Sequence, residues 1–270
     1  MQLRNKITPY IPAENIYKFL PVDLDQPCDS LTIILSSIKG KFLLKGYSIN
    51  SDRLFIAESK MTSYTYGFEG LKDYLVKWIS TKNYKNVNLV GSSKGGFGAI
   101  NIGVALAKEL KNVDFKVASF SPQTQLFPFN TNIDHLPSYI VLNRLAKTHI
   151  SVQHDLKKYG NLEKIQHDTD DNIKISVIYG DSHERDTIEC QRINACSAIS
   201  YVPVPNYSLH STLLIFTKKN EELVKAMTSR FTSTTKTDDD FFTPQNVDEI
   251  TQDFLKSIDK YQYDLKDYLI

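Results

Sequence analysis

Apolar residues recur along this chain in two spacings. Short continuous runs at 31–35 (LTIIL), 54–57 (LFIA), 87–90 (VNLV), 115–120 (FKVASF) and 173–179 (IKISVIY) are rich in β-branched residues and bounded by turn formers. Such runs predict strands buried on both faces, as in a parallel sheet. A weaker run at 197–202 is ended by Pro203 and Pro205. Between them the period changes to that of a helix. Residues 68–79 carry Leu71, Leu75, Val76 and Ile79 on one stripe, 96–106 is a small-residue helical run, and 211–231 carries Leu213, Leu214, Phe216, Leu223, Val224 and Met227. Residues 1–30, broken by Pro9, Pro12 and Pro21, predict an edge hairpin or lead-in strands. Strand and helix therefore alternate along most of the chain, which predicts an α/β domain over 1–231. The alternation lapses at about 122–172, where 138–150 and 156–165 read as helical. This is an insertion placed where a lid or cap over a site would lie. Residues 232–246 are linker-like, and 247–261 restores helical periodicity. That tail helix can pack back on its own domain, or be offered to a partner or a second copy in a homo-oligomer.

The most informative stretch is 87–100, VNLVGSSKGGFGAI. An apolar strand breaks into Gly91-Ser92-Ser93-Lys94-Gly95 and then into a helix. This is the sequence form of a nucleophile elbow, in which a strained turn lifts a serine above the sheet edge. The residues two before and two after the serine must be small, and Gly91 and Gly95 meet that need around Ser93. Ser93 is the candidate nucleophile. The backbone N–H of Lys94 is the candidate first oxyanion donor, and the loop after the 31–35 strand, Ser36 to Ile38, is the candidate source of the second, with Ile38 as the named residue. A phosphate-binding loop would need Lys followed by Ser or Thr after the spacer, whereas Lys94 precedes glycines. A dinucleotide turn would need a glycine where Phe97 stands. No tyrosine has a lysine four residues later, so the short-chain dehydrogenase pair is missing as well.

A nucleophilic serine needs a base and a group that orients the base. After the strand at 173–179 comes Gly180-Asp181-Ser182-His183-Glu184-Arg185-Asp186, and after the last strand comes PVPNYSLH, ending at His210 just before the 211–231 helix. This is the chain order serine, acid, histidine. His210 is the predicted base. Asp181 is the first choice for the acid, Asp186 the second and Glu184 the third. His183 can line the site. A metal reading of His183, Glu184 and Asp186 lacks a second histidine at ligand spacing, so no metal is predicted. His135, His149, His154 and His167 are scattered through the insertion and read as solvated. So do Lys39, Lys41, Lys45 and Lys94, whose alternative is recognition of an anionic group.

Composition changes the picture little. With 32 Lys and Arg against 31 Asp and Glu, the chain gives no sign of nucleic-acid binding. Its 15 tyrosines suit a saccharide-handling surface and an ordinary core equally. Three cysteines, Cys28, Cys190 and Cys196, in no metal or redox spacing, predict a reducing compartment. With no apolar leader-like run near Met1 and no stretch of membrane-spanning length, the expectation is a cytoplasmic protein without a transmembrane segment.

Residues 31–231 together resemble the α/β-hydrolase superfamily: a mostly parallel central sheet flanked by helices, here with a helical insertion and a C-terminal helical tail. More narrowly, LVGSSKGGFGAINIG followed by a strand and Ser121-Pro122-Gln123 resembles the serine-dependent O-acetyltransferases of bacterial capsule synthesis. Those enzymes carry a Gly-Ser-Ser-Lys-Gly-Gly elbow and a Pro-Gln pair after the next strand. The resemblance implies acetyl-CoA as co-substrate with no resident cofactor, a saccharide hydroxyl as acceptor, nucleophile Ser93, base His210 and an acid in the 180–186 loop. His183 stands where that family commonly has an aspartate. The same elbow occurs in accessory secretion proteins of this fold. Three readings follow: an acyltransferase, a carboxylesterase or thioesterase with the same parts, and a non-catalytic interaction protein.

Overall fold

The computed structural model describes residues 13–163, 165, 169–217, 224, 256 and 259–269. Seven strands form one sheet: β1 Tyr17–Val22, β2 Ser30–Leu35, β3 Asp52–Glu58, β4 Asn86–Ser92, β5 Asp114–Phe120, β6 Ile173–Gly180 and β7 Ile199–Val204. Their spatial order is β1-β3-β2-β4-β5-β6-β7. Only β1 runs antiparallel, on the edge against β3, with Tyr17 opposite Glu58. The other five pairings are parallel. The β-branched runs are these strands, and both sheet faces are covered. In β2, Leu31, Ile33 and Leu35 enter one core and Ile34 the other; in β4, Val87 and Leu89 face the first and Val90 the second.

Helices α1 (Phe68–Lys82) and α2 (Lys94–Glu109) cover the first face. Leu71, Leu75 and Ile79 of α1 are buried, as the stripe predicts. The second face is covered by Leu43, Leu44, Tyr47 and Ile49 from the loop after β2, by the short helix α6 (Leu213–Phe216), and by residues 261–269. There Phe216 stacks on Tyr263 at 4.7 Å between ring centres, and Tyr47 Oη donates to Asp264 Oδ1 at 2.6 Å.

The insertion holds α3 (Pro137–Thr148) and α4 (Ile150–Tyr159). The second begins and ends earlier than its periodicity predicts, because Gly160 closes it. Helix α5 (Glu184–Gln191) was not predicted. Its sequence, ERDTIECQ, has little apolar content, but the His183 side chain caps it and Asp186, Glu189 and Cys190 are buried. Only four residues of the predicted 211–231 helix are among those described as helix α6. The 232–246 linker lies outside the described residues, as does most of the predicted 247–261 helix, and the described residues 259–261 at its end are turn and irregular chain rather than helix. Among the described residues, no helix is long and apolar enough to cross a membrane.

Candidate active site

The elbow forms because its backbone leaves no room for side chains. A Cβ on Gly91 would lie 2.1 Å from the Gly95 carbonyl oxygen, and one on Gly95 would lie 2.4 Å from that of Leu35. Gly96 packs on Ser119 less tightly, with a Cβ at 2.8 Å from its Oγ. Ser93 between them has φ 55° and ψ −123°, a region that costs a non-glycine residue about 1–3 kcal/mol. Its N–H donates to the Phe120 carbonyl at 2.8 Å, which ties the turn to the end of β5. Ser93 Oγ accepts a hydrogen bond from Gln123 Nε2 at 3.1 Å, and the same nitrogen reaches Ser138 Oγ at 3.4 Å. The Ser121-Pro122-Gln123 segment thus lies beside the elbow, and Gln123 links the candidate nucleophile Ser93 to the first turn of α3.

His210 Nδ1 lies 2.7 Å from Asp186 Oδ1. Asp186 is buried in the first turn of α5, where the helix dipole favours a carboxylate. Burial pushes its carboxyl up, but the charge of His210 and the hydrogen bonds of His183 and His210 outweigh this and hold it well below the usual range. A carboxylate facing Nδ1 assigns the ring hydrogen to that nitrogen and leaves a lone pair on Nε2. Nε2 is buried and has no hydrogen-bond partner, so it makes no direct bond to Ser93.

Two of the predicted positions need correction. Asp181, the first choice for the acid, does not face His210. Its Oδ1 accepts from the Asn206 N–H at 2.8 Å and from Ser182 Oγ at 2.9 Å, stapling the loop after β6 to the loop after β7. Asp186, the second choice, is the carboxylate at the imidazole because α5 turns it inward, whereas Glu184, two residues earlier, is exposed. Ile38 does not offer a free N–H: it donates to Ser36 Oγ at 3.1 Å. The Ser36 N–H is also taken, by the Ile56 carbonyl at 2.9 Å. Within the predicted Ser36 to Ile38 stretch, Ser37 has the N–H with no partner among the described residues. The Lys94 N–H, first in α2, has no partner within its helix.

The Lys94 side chain is not solvated, nor can it bind an external anion. It is 1% exposed and its Nζ lies 2.5 Å from Glu58 Oε1, itself fully buried at the end of β3. Lys39, Lys41 and Lys45 are exposed, as expected.

His183 is closer to the chemistry than its sequence position suggests. Its Nδ1 faces both the Asp186 N–H at 3.1 Å and Asp186 Oδ1 at 3.2 Å. A neutral ring accepts from the first, and a protonated ring donates to the second. The Asp186 carboxylate raises its pKa, more than burial lowers it. Sequence reasoning missed Glu58 and Glu189 entirely. Glu189 accepts from the Thr124 N–H at 2.9 Å and from Asn130 and Asn132 Nδ2, and so holds the segment after Gln123 against α5. Neither has a motif; only their carboxyl groups within apolar surroundings hint at burial.

No family model matches the chain, and no curated protein matches it in sequence. Solved structures do. A carboxyl esterase 2 from the mycorrhizal fungus Tuber melanosporum superposes with a TM-score of 0.52 at 10% identity, covering 93% of this chain and 86% of that one. A monoglyceride lipase from Saccharomyces cerevisiae gives 0.47 at 12% identity, covering 90% and 91%. Est1E from Butyrivibrio proteoclasticus gives 0.42 at 15% identity, covering 81% and 98%. With the strand order, the mostly parallel sheet and the turn at Ser93, the likeness to the first of these establishes that this chain has the α/β-hydrolase fold.

Proposed function

We propose that the chain is a serine-dependent enzyme that cleaves acyl esters, of the carboxylesterase type. The observation that carries this reading is the Asp186–His210 contact at 2.7 Å, which leaves a bare Nε2 on the imidazole while Ser93 is held in the strained turn. His210 Nε2 takes the Ser93 proton as Oγ attacks the acyl carbonyl. Asp186 holds the ring in the required tautomer and stabilises its positive charge. The oxyanion is received by the N–H groups of Lys94 and Ser37. His210 returns the proton to the leaving group, and acyl-Ser93 is then attacked by water that His210 deprotonates. Gln123, donating to Ser93 Oγ, keeps the nucleophile in place and leaves the serine hydrogen for His210. The Ser93–His210 bond forms as substrate enters, as it does in many serine enzymes.

A second reading has a specific observation in its favour. Gln123 touches Ser93, so the two features on which the capsular O-acetyltransferase resemblance rests stand together in one site. In that reading the acyl group comes from acetyl-CoA, and a saccharide hydroxyl takes the place of water. The parts are shared; the difference lies in whether the site docks an alcohol and keeps water out.

Intact mass after incubation with p-nitrophenyl acetate, and separately with acetyl-CoA, tests both. The expected result is one acetyl group on the native chain and none on Ser93→Ala. An adduct that persists in Ser93→Ala would sink the assignment of the nucleophile. Turnover of the ester without any acceptor supports the esterase. Acetyl-CoA consumption that accelerates with an added saccharide, and leaves an ester on it, supports the transferase.

A further inference from the structure

Lys94 and Glu58 form an ion pair with both side chains almost wholly buried, directly behind the nucleophile. Buried pairs are weak contributors to stability, and apolar replacements often do as well. Here the pair has a geometric consequence. Glu58 Oε2 also accepts from the Thr62 N–H at 2.8 Å and the Tyr64 N–H at 3.2 Å, and Oε1 accepts from the Ser63 N–H at 3.1 Å. Three successive N–H groups converge on one carboxylate, a backbone nest around an anion. The backbone adopts left-handed φ to do this, 58° at Met61, 52° at Ser63 and 62° at Tyr64.

That nest places Tyr64. Its ring packs on Gly98 of α2, where a Cβ would approach within 2.8 Å, and its Oη donates to the Ser36 carbonyl at 2.8 Å and the Ile56 carbonyl at 3.1 Å. The Ser36 carbonyl and the Ser37 N–H belong to one peptide unit. Because that unit is planar and trans, fixing its oxygen fixes the direction of its N–H, which points the opposite way. The first candidate oxyanion donor, the Lys94 N–H, sits on the other end of the same chain of contacts.

We infer that Lys94, Glu58 and Tyr64 are positioning residues that hold the two oxyanion donors in register, Lys94 through its own side chain and Ser37 through the peptide plane that Tyr64 anchors. The inference rests on the acyl-serine reading above. All three side chains are buried within the protein and closed off from solvent. Each acts on when the oxyanion is stabilised, not on ground-state binding.

The test compares the native chain with Tyr64→Phe and with the double variant Lys94→Met/Glu58→Gln, which leaves no unpaired buried charge. Three quantities are read: thermal unfolding, the kcat and KM for a p-nitrophenyl ester, and inhibition by an alkyl boronic acid, whose adduct on a serine carries the tetrahedral negative charge. Loss of a direct oxyanion donor costs about 10²–10³ in kcat. Misalignment by these variants is expected to lower kcat about tenfold to hundredfold, with KM within about twofold, and to weaken the boronate by the same factor. A folded variant with native kcat and native boronate affinity overturns the inference, as does a fall in kcat with no change in boronate affinity. If the double variant does not fold, Tyr64→Phe, which removes one oxygen atom, decides alone. A native chain that no ester acylates at Ser93 sinks the acyl-serine reading itself, and the inference with it. A native chain that acylates together with variants that do so equally fast sinks the inference only.

Discussion

The two loops that meet at this site are built on opposite principles. The elbow from Gly91 to Gly98 is a steric object. Its backbone approaches other backbone and the Tyr64 ring so closely that a single added carbon cannot be accommodated at Gly91, Gly95 or Gly98. The loop from Gly180 to Asp186 is a hydrogen-bonded object, in which three carboxylates stand within six residues and hydrogen bonding and helix geometry decide which one meets His210. Steric exclusion restricts residue type and so writes itself into the sequence. Hydrogen bonding accepts any carboxylate that happens to be aimed correctly, so it leaves several candidates.

The contrast can be broken at the acid. Asp186→Asn is expected to lower turnover of a p-nitrophenyl ester by about 10³–10⁴, since the imidazole would lose its tautomer and its counter-charge. Asp181→Asn, in the same loop but engaged with Asn206, should change it by no more than about threefold. Equal losses in the two variants would contradict the geometry described. The elbow is broken next. Gly95→Ala places its Cβ 2.4 Å from the Leu35 carbonyl oxygen, backbone against backbone, and should cost about 3 kcal/mol, read as a midpoint about 10 °C lower in thermal unfolding.

Smaller effects sharpen the comparison. The Asp186 carboxyl has its pKa lowered by folding, so its ionised form favours the native state. The stability it contributes is fully present above its ordinary value of 3.8 and is lost as pH falls through the lower native value. The stability gap between native chain and Asp186→Asn should therefore narrow as the pH drops below that value, in denaturant titrations run across the acid range. His183 has the opposite sign. Its pKa is raised, so its contribution is full below its ordinary value of 6.5 and fades as pH rises through the native value. His183→Asn keeps a side-chain acceptor for the first turn of α5 but removes the second imidazole. It should cost about 1 kcal/mol in acid and less in alkaline buffer. A gap that widens with pH would mean that the Asp186 carboxylate does not act on His183 as described.

How much could be read beforehand follows from the same physics. The β-branched runs were legible as strands because they are short and bounded by turn formers, too short for a buried helix. Ser93 and His210 stood out as candidates because one sits between glycines that cannot carry a side chain and the other follows the last strand in chain order. Helix α5 escaped notice because its start depends on a histidine cap rather than on an apolar stripe. Lys94 read as solvated because nothing in Gly-Ser-Ser-Lys-Gly-Gly announces that a carboxylate 36 residues earlier will be waiting beneath it. Ile38 was one residue from the open N–H, and the Ser36 side chain that occupies it could not be foreseen from spacing.

The aromatic cover over the second sheet face bears on how this protein is made. Tyr47 and Asp264 bond across 217 residues of chain, and Leu265 is completely buried against strands that are synthesised far earlier. A ribosome adding about 5–20 residues per second would leave that face open for about ten to forty seconds after Tyr47 appears. During that interval Ile34, Phe55 and Val90 lack the part of their cover that comes from residues 261–269. The nascent sheet is therefore a natural client for chaperones that shield apolar surface.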